Sequence, residues 1–149
     1  MKTLIRLREQ ALRNPKELAR FAKFATVGAF GAVVDFGILN LLILMFGWPK
    51  WAANTVSFSC AVLSNFTWNR LWTFPESREF SLSSQMTQFA VVNVVGLAIN
   101  QVVFLGLAEV FAPHIATPWD YNLAKALAIA VVLFWNFGVN RVWTYGEIE

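Results

Sequence analysis

Residues 24–46 read FATVGAFGAVVDFGILNLLILMF, an apolar run with a single charge, Asp35, at its centre. Its length is close to the ~20 residues that a helix needs to cross a ~30 Å hydrocarbon core. Three further runs of the same kind follow, at 52–74, 89–111 and 121–143. No water is present inside a bilayer to satisfy peptide groups, so spans this apolar must close their hydrogen bonds internally, as helices do. The expected fold is therefore an all-α membrane protein with four transmembrane helices. A cleaved signal peptide is excluded. A long charged segment precedes the first run, and no small-residue cleavage site followed by polar sequence comes after it.

Composition points the same way. The 149 residues are 57% hydrophobic and 14% charged, with a mean hydropathy of +0.52. A soluble domain carries roughly 25% charged residues, so this chain lacks the polar surface to face water on all sides. Cys60 is the single cysteine and lies in an apolar run; it allows no internal disulfide and reads as a small buried residue. His114 has no histidine or cysteine partners in the sequence, and no paired carboxylates occur. No metal, cofactor or catalytic group is expected, and nucleic acid is not an expected partner.

Orientation follows from the basic residues. Lys2, Arg6, Arg8, Arg13, Lys16, Arg20 and Lys23 precede the first span; Arg70, Arg78 and Arg141 fall at or between the other ends on the same side. Only Lys50 and Lys125 lie toward the opposite side. The positive-inside rule then places both termini and the polar connector 75–87 in the cytoplasm. Trp48, Trp51 and Trp119 mark the outer boundary and Trp72 and Trp143 the inner one, as an aromatic belt requires. Trp68 and Trp135 lie about a turn deeper, where they can pack between helices. Residues 1–20 form a separate amphipathic segment, with Leu4, Ile5, Leu12 and Leu18 on its apolar side and Asn14–Pro15 as a break with a capping residue. It serves either as an interfacial helix or simply as a topology signal.

A repeated phrase organises the membrane domain, 21–145. NFTWNRLWTF at 65–74 returns as NFGVNRVWTY at 136–145, an offset of 71 that also aligns Trp48 with Trp119 and Asn54 with Lys125. At an offset of 65, FATVGAFGAVVDF aligns with FAVVNVVGLAINQ and pairs Gly31 with Gly96 and Asp35 with Asn100. The chain therefore reads as two repeated two-helix hairpins with a shared orientation. Transporters commonly place their substrate route between such repeats.

Polar residues within spans are costly, so they nominate the functional site. Asp35 sits 11 residues into the first run, roughly 16 Å deep at 1.5 Å per residue. It is expected to face the bundle interior, close to Asn100 or to water. Lys125 lies below the outer boundary, where it either snorkels outward or pairs with Glu109. Arg70 and Arg141, with Asn65, Asn69, Asn136 and Asn140 upstream, mark the inner boundary. The arginines either anchor the helices or hold an anion. The asparagines serve as interhelical glue or line the route. Gly28, Gly31 and Gly37 are expected to permit close helix approach.

At these residues the chain resembles the GtrA-like proteins of bacterial cell-surface polysaccharide synthesis. The resemblance rests on FATVGAFGAVVDFGILNLLI (24–43), on LAKALAIAVVLFWNFGVNRVWTY (123–145) and on the repeated Asn-Arg-x-Trp-Thr-aromatic ends. It implies a multi-pass protein of the bacterial inner membrane that flips a polyprenyl-phosphate-linked sugar, such as undecaprenyl-phosphate glucose, between leaflets. A membrane glycosyltransferase would use that lipid. Membrane lipids are the remaining expected partners, and a homo-oligomer is compatible. The matching positions are Asp35, Asn65, Arg70, Lys125, Asn136 and Arg141; Asn54, Asn69, Asn100 and Asn140 join them as candidate substrate contacts from their place in the spans. Arginine offers phosphate a bidentate fork and lysine a point charge. Two other readings stay open: a small proton-coupled multidrug exporter with Asp35 as its acid, and a non-transporting accessory subunit of a glycosyltransferase.

Overall fold

The computed structural model describes residues 14–143, without the side chains of Glu17 and of 136–143. The N-terminal element's Leu4, Ile5 and Leu12, and the side chains of Asn136, Asn140 and Arg141, lie outside what it describes.

Among the described residues, four long helices form an all-α bundle. Helix α1 (Pro15–Asn40) starts where the sequence predicts: the Asn14 side chain accepts a hydrogen bond from the Lys16 amide at 3.1 Å, and proline occupies the first turn. Both features suit a helix start, because the first N–H groups have no intrahelical acceptor. The helix then continues without a break past position 20, so the basic segment from residue 15 onward is the base of the first span. A wider π-type turn, Leu41–Met45, extends it. Gly47 ends it with φ of +64°, a left-handed conformation that costs glycine nothing. Its neighbour's amide, Trp48 N, reaches back to Leu42 O at 3.0 Å.

Helix α2 (Lys50–Trp68) runs back alongside α1 and ends in a second π-type turn, Asn69–Thr73. The connector folds as a 3₁₀ turn, Pro75–Glu79. Helix α3 (Leu82–Phe111) begins at Ser81, whose side chain caps the first turn. Helix α4 (Trp119–Trp143) completes the chain. Packing is most extensive between α1 and α2 and between α3 and α4, and weaker across the α2–α3 seam.

Among the described residues, two helices are long and apolar enough to cross a membrane. Leu18–Met45 has a mean hydropathy of 2.1 over its best window, and Leu82–Phe111 has 2.0. At 1.5 Å per residue they measure roughly 42 and 45 Å, more than the ~30 Å hydrocarbon core demands. The distribution of polarity is inverted relative to a soluble bundle. Phe134, Val102 and Met45 are at least three-quarters exposed, whereas Lys125, Asn54 and Asn100 are completely buried. An apolar exterior this extensive is far beyond the patches that soluble monomers carry, and it makes this a membrane protein.

Each helix buries one narrow stripe. On α1 the stripe is Val27, Gly31, Asp35 and Leu39, spaced four apart; on α3 it is Gly96, Asn100, Phe104 and Ala108. Spacing of four keeps residues on one helical face. Small residues dominate the contacts of α2 and α4 (Ala53, Ala61, Ala124, Ala128) and let the backbones approach. Among the glycines expected to do this, only Gly31 does: a Cβ there would come within 2.8 Å of Asn65 Cγ. Gly28 and Gly37 face open space, because they lie off the buried stripe. Trp68 packs edge-on against Phe30, with centroids 6.3 Å apart, and Cys60 is half-buried.

A buried ion pair and its amide chain

The interior stripes meet at one polar centre. Lys125 Nζ lies 2.8 Å from Asp35 Oδ1 and donates to Asn54 Oδ1 at 2.7 Å. Its side chain is fully buried, and that of Asp35 is 5% exposed. An ammonium has three donors. Two are used here, and the head otherwise faces the rings of Phe58 and Phe104 at 5.8 and 5.9 Å from their centroids, within cation–π range. A buried ion pair roughly breaks even against desolvation, but stripping one partner from it is strongly destabilising. The two charges are thus locked together in the absence of another ion.

The ammonium also sets the direction of every amide beyond it. It can only donate, so Asn54 must turn Oδ1 toward it and Nδ2 away. Asn54 Nδ2 then donates to Asn100 Oδ1 at 2.9 Å and to Gln101 Oε1 at 2.7 Å. Gln101 is oriented in turn, and its Nε2 donates to Trp51 O and Thr55 Oγ1 at 2.8 and 2.6 Å. One end of the chain is left unfinished: Asn100 Nδ2 is buried and has no partner among the described residues.

The offsets read from the sequence map one half of this centre onto the other. Adding 65 takes Asp35 to Asn100, and subtracting 71 takes Lys125 to Asn54. The Asp35–Lys125 contact therefore corresponds to the Asn100–Asn54 contact, charged in one case and neutral in the other.

Four of the sequence candidates, Asp35, Asn54, Asn100 and Lys125, come together here. Their pairing differs from the expectation in three ways. Lys125 does not snorkel, because its stem and head are enclosed by α1, α2 and α3. Glu109 is exposed and lies off the α3 stripe that holds Asn100, so it is not the partner of Lys125. Asp35 does face the interior, but it meets Lys125 and leaves Asn100 to Asn54.

The inner-end candidates lie elsewhere. Arg70 lies in the π-type turn that ends α2, sixteen positions beyond Asn54 and roughly 24 Å along the helix axis. Its guanidinium donates to Ser77 O and Phe80 O, each at 3.3 Å, and to Gln85 Oε1, so it gathers the connector against the base of α3. Arg20 adds a 2.6 Å ion pair to Glu76 of the connector. Asn65 packs against Gly31, and the side-chain oxygens of Asn65 and Asn69 are buried without a donor among the described residues.

A second polar cluster, toward the loops at the other end, has no counterpart in the sequence candidates. Asn40 and Asn122 exchange two amide hydrogen bonds of 2.8 Å, and Tyr121 Oη donates to Asn40 Oδ1 at 2.8 Å. Lys50 Nζ lies 6.0 Å from the Tyr121 ring centroid. The signal for Asn40, Gln101 and Asn122 was present in the sequence: each is an amide inside or at the edge of an apolar run.

Comparison with known proteins agrees with this architecture. A family model described as "GtrA/DPMS, transmembrane domain" matches residues 23–145. A protein named dolichol-phosphate mannosyltransferase, from Pyrococcus furiosus, is 34% identical over 134 residues, which cover 87% of this chain and 34% of that protein. The chain thus spans about a third of the length of that relative. A Bacillus subtilis protein named uncharacterized membrane protein YngA is 25% identical over 132 residues, covering 89% of this chain and 83% of that one. With its family match covering residues 23–145, this chain belongs to the GtrA/DPMS transmembrane-domain family.

Proposed function

We propose that this protein flips polyprenyl-phosphate-linked sugars, such as undecaprenyl-phosphate glucose, from the inner to the outer leaflet of the bacterial cytoplasmic membrane. In this reading it is a four-span, non-catalytic protein with both termini in the cytoplasm. Family membership supports a role with polyprenyl-phosphate sugars in a membrane. The single observation that carries the reading further is the Lys125 ammonium, fully buried between helices and held by one carboxylate and one amide.

A phosphate that crosses hydrocarbon must exchange its water for fixed cations and donors. Lys125 supplies the cation, and Asp35 keeps it compensated until a lipid phosphate arrives. The phosphate then takes the place of Asp35 beside Lys125 and becomes the counter-ion of the ammonium. Asn54, Asn100 and Gln101 offer amides to sugar hydroxyls, with the unpartnered Asn100 Nδ2 first among them. Arg70 and Arg141, with Asn65, Asn69, Asn136 and Asn140, act earlier, where the headgroup is collected at the inner face. Internal neutralisation of Asp35 speaks against the small multidrug exporter, which needs a free acid for a cationic drug.

A second reading is favoured by one comparison. The chain matches about a third of a protein named as a dolichol-phosphate mannosyltransferase, which fits a membrane module that serves a glycosyltransferase without moving lipid. Purified protein in sealed vesicles separates the two. Flipping requires that labelled undecaprenyl-phosphate glucose added to one leaflet reaches the other with no glycosyltransferase present. If the lipid stays where it was added until a glycosyltransferase is supplied, the accessory reading replaces this one.

A further inference from the structure

The α2–α3 seam holds a cavity of about 260 Å³. On α2 it is lined by Phe58, Val62 and Phe66, spaced four apart, and the next step of four is Arg70. On α3 it is lined by Phe89, Asn93 and Leu97 at the same spacing, and the preceding step of four is Gln85. The two stripes face each other, and their ends are joined: Arg70 donates to Gln85 at the connector end, and Phe66 packs on Phe89 with centroids 4.8 Å apart. Between the polar mouth and Phe58 the walls are apolar except for Ser59 and Asn93, which donate to the backbone carbonyls of Thr55 and Phe89 on their own helices.

We propose that this groove binds the tail of a single-chain isoprenoid phosphate, with the phosphate at Arg70 and the chain running along the seam toward Phe58. The inference rests on the flippase reading above and names where the lipid carrier sits. Three observations select this occupant. The charge at the mouth is cationic: Arg70 is half-buried, and its Nε makes no hydrogen bond among the described residues, so part of the fork remains for an anion. The groove is one seam with one charged end, which suits one chain and one phosphate. A two-chain phospholipid would leave half its hydrocarbon outside. Continuity with the buried centre is the third. Phe58 closes the far end of the groove with one face of its surroundings and lies 5.8 Å from Lys125 Nζ on the other. Phe58 is thus the only side chain shared by the groove and the ion-pair centre among the described residues, and its rotation would open one to the other.

A farnesyl phosphate analogue with a diazirine at the end of the chain farthest from the phosphate tests this on the purified full-length protein. Light should attach it near residues 58–62 and 93–97, at the far end of the groove, and excess polyprenyl phosphate should suppress that labelling. Ala90 is exposed and lines the groove, so Ala90→Trp should fill it and reduce labelling at least about tenfold. Val102→Trp, on the exposed face of the same helix, should leave labelling intact. Arg70→Gln should weaken binding of the phosphate but not of a polyprenol that lacks it. Saturable labelling confined to other helices would overturn the groove and leave the flippase reading standing. Unsaturable labelling, or labelling suppressed equally by ordinary phospholipid, would overturn both.

Discussion

Replacing Lys125 by methionine removes the ammonium and keeps most of the stem volume. Asp35 then loses its only cation among the described residues, and Asn54 Oδ1 loses its donor. Breaking a buried pair by removing one partner costs about 3–5 kcal/mol. An orphaned buried acceptor adds about 1–3 kcal/mol. Local relaxation and water entry offset part of this, so a net loss of about 3–5 kcal/mol is expected for Lys125→Met. Asp35→Asn strands the ammonium instead, with two amide oxygens as its remaining acceptors, and should cost a similar amount. The double variant leaves the Asp35–Lys125 contact neutral and should return to within about 1–2 kcal/mol of wild type, because a neutral pair of similar volume is often no worse than an ion pair. Unfolding in a mild detergent, followed by tryptophan fluorescence, reads this directly. Each single variant should lower Tm by about 10 °C at a few degrees per kcal/mol for a chain of this size, and the double variant should recover most of it. Additive losses in the double variant would mean that the two residues do not share an interaction energy and would refute the ion pair as the centre of the bundle.

Three other outcomes follow from the geometry. Gly31→Ala should destabilise by about 1–3 kcal/mol, since its Cβ would press on Asn65, while Gly37→Ala should cost nothing; equal effects in a thermal scan would contradict the close approach. Tyr121→Phe removes one donor to Asn40 while the reciprocal Asn40–Asn122 bonds survive, so a loss of only about 0.5–1.5 kcal/mol is expected. Reporter fusions should find the connector and the C-terminal end on the cytoplasmic side and His114 on the other. A mixed orientation would contradict the charge bias.

Much of the fold was legible because a span announces itself by length and hydropathy, and the four helices fall where the four apolar runs lie. Asn14–Pro15 was readable as a helix start for a local reason, a side-chain acceptor beside a residue with no N–H. The cost of burying polarity also nominated Asp35, Asn54, Asn100 and Lys125 without a structure. Who pairs with whom was not legible. Pairing depends on the rotation of each helix about its axis, which the apolar exterior of a membrane helix does not encode: residues on the lipid side and the core side are equally hydrophobic. Glu109 was at a suitable height for Lys125 but on the wrong face of α3. Arg70 read as an inner-boundary charge, yet its acceptors are carbonyls of a connector whose 3₁₀ turn is set by local folding that hydropathy does not report. The groove on the α2–α3 seam likewise depends on two stripes meeting, and each alone looks like ordinary lipid-facing surface.

In the proposed function the Asp35–Lys125 centre carries the lipid phosphate across, beyond holding the helices together. The neutral double variant Asp35→Asn/Lys125→Met separates those roles, because it is expected to fold. Its initial rate of undecaprenyl-phosphate glucose transfer between leaflets of sealed vesicles, measured beside wild type at equal folded protein, is the decisive number. A loss of at least about tenfold is expected, the effect of removing roughly 1.4 kcal/mol or more of stabilisation from the rate-limiting barrier. A folded double variant that transfers the lipid at the wild-type rate would contradict it.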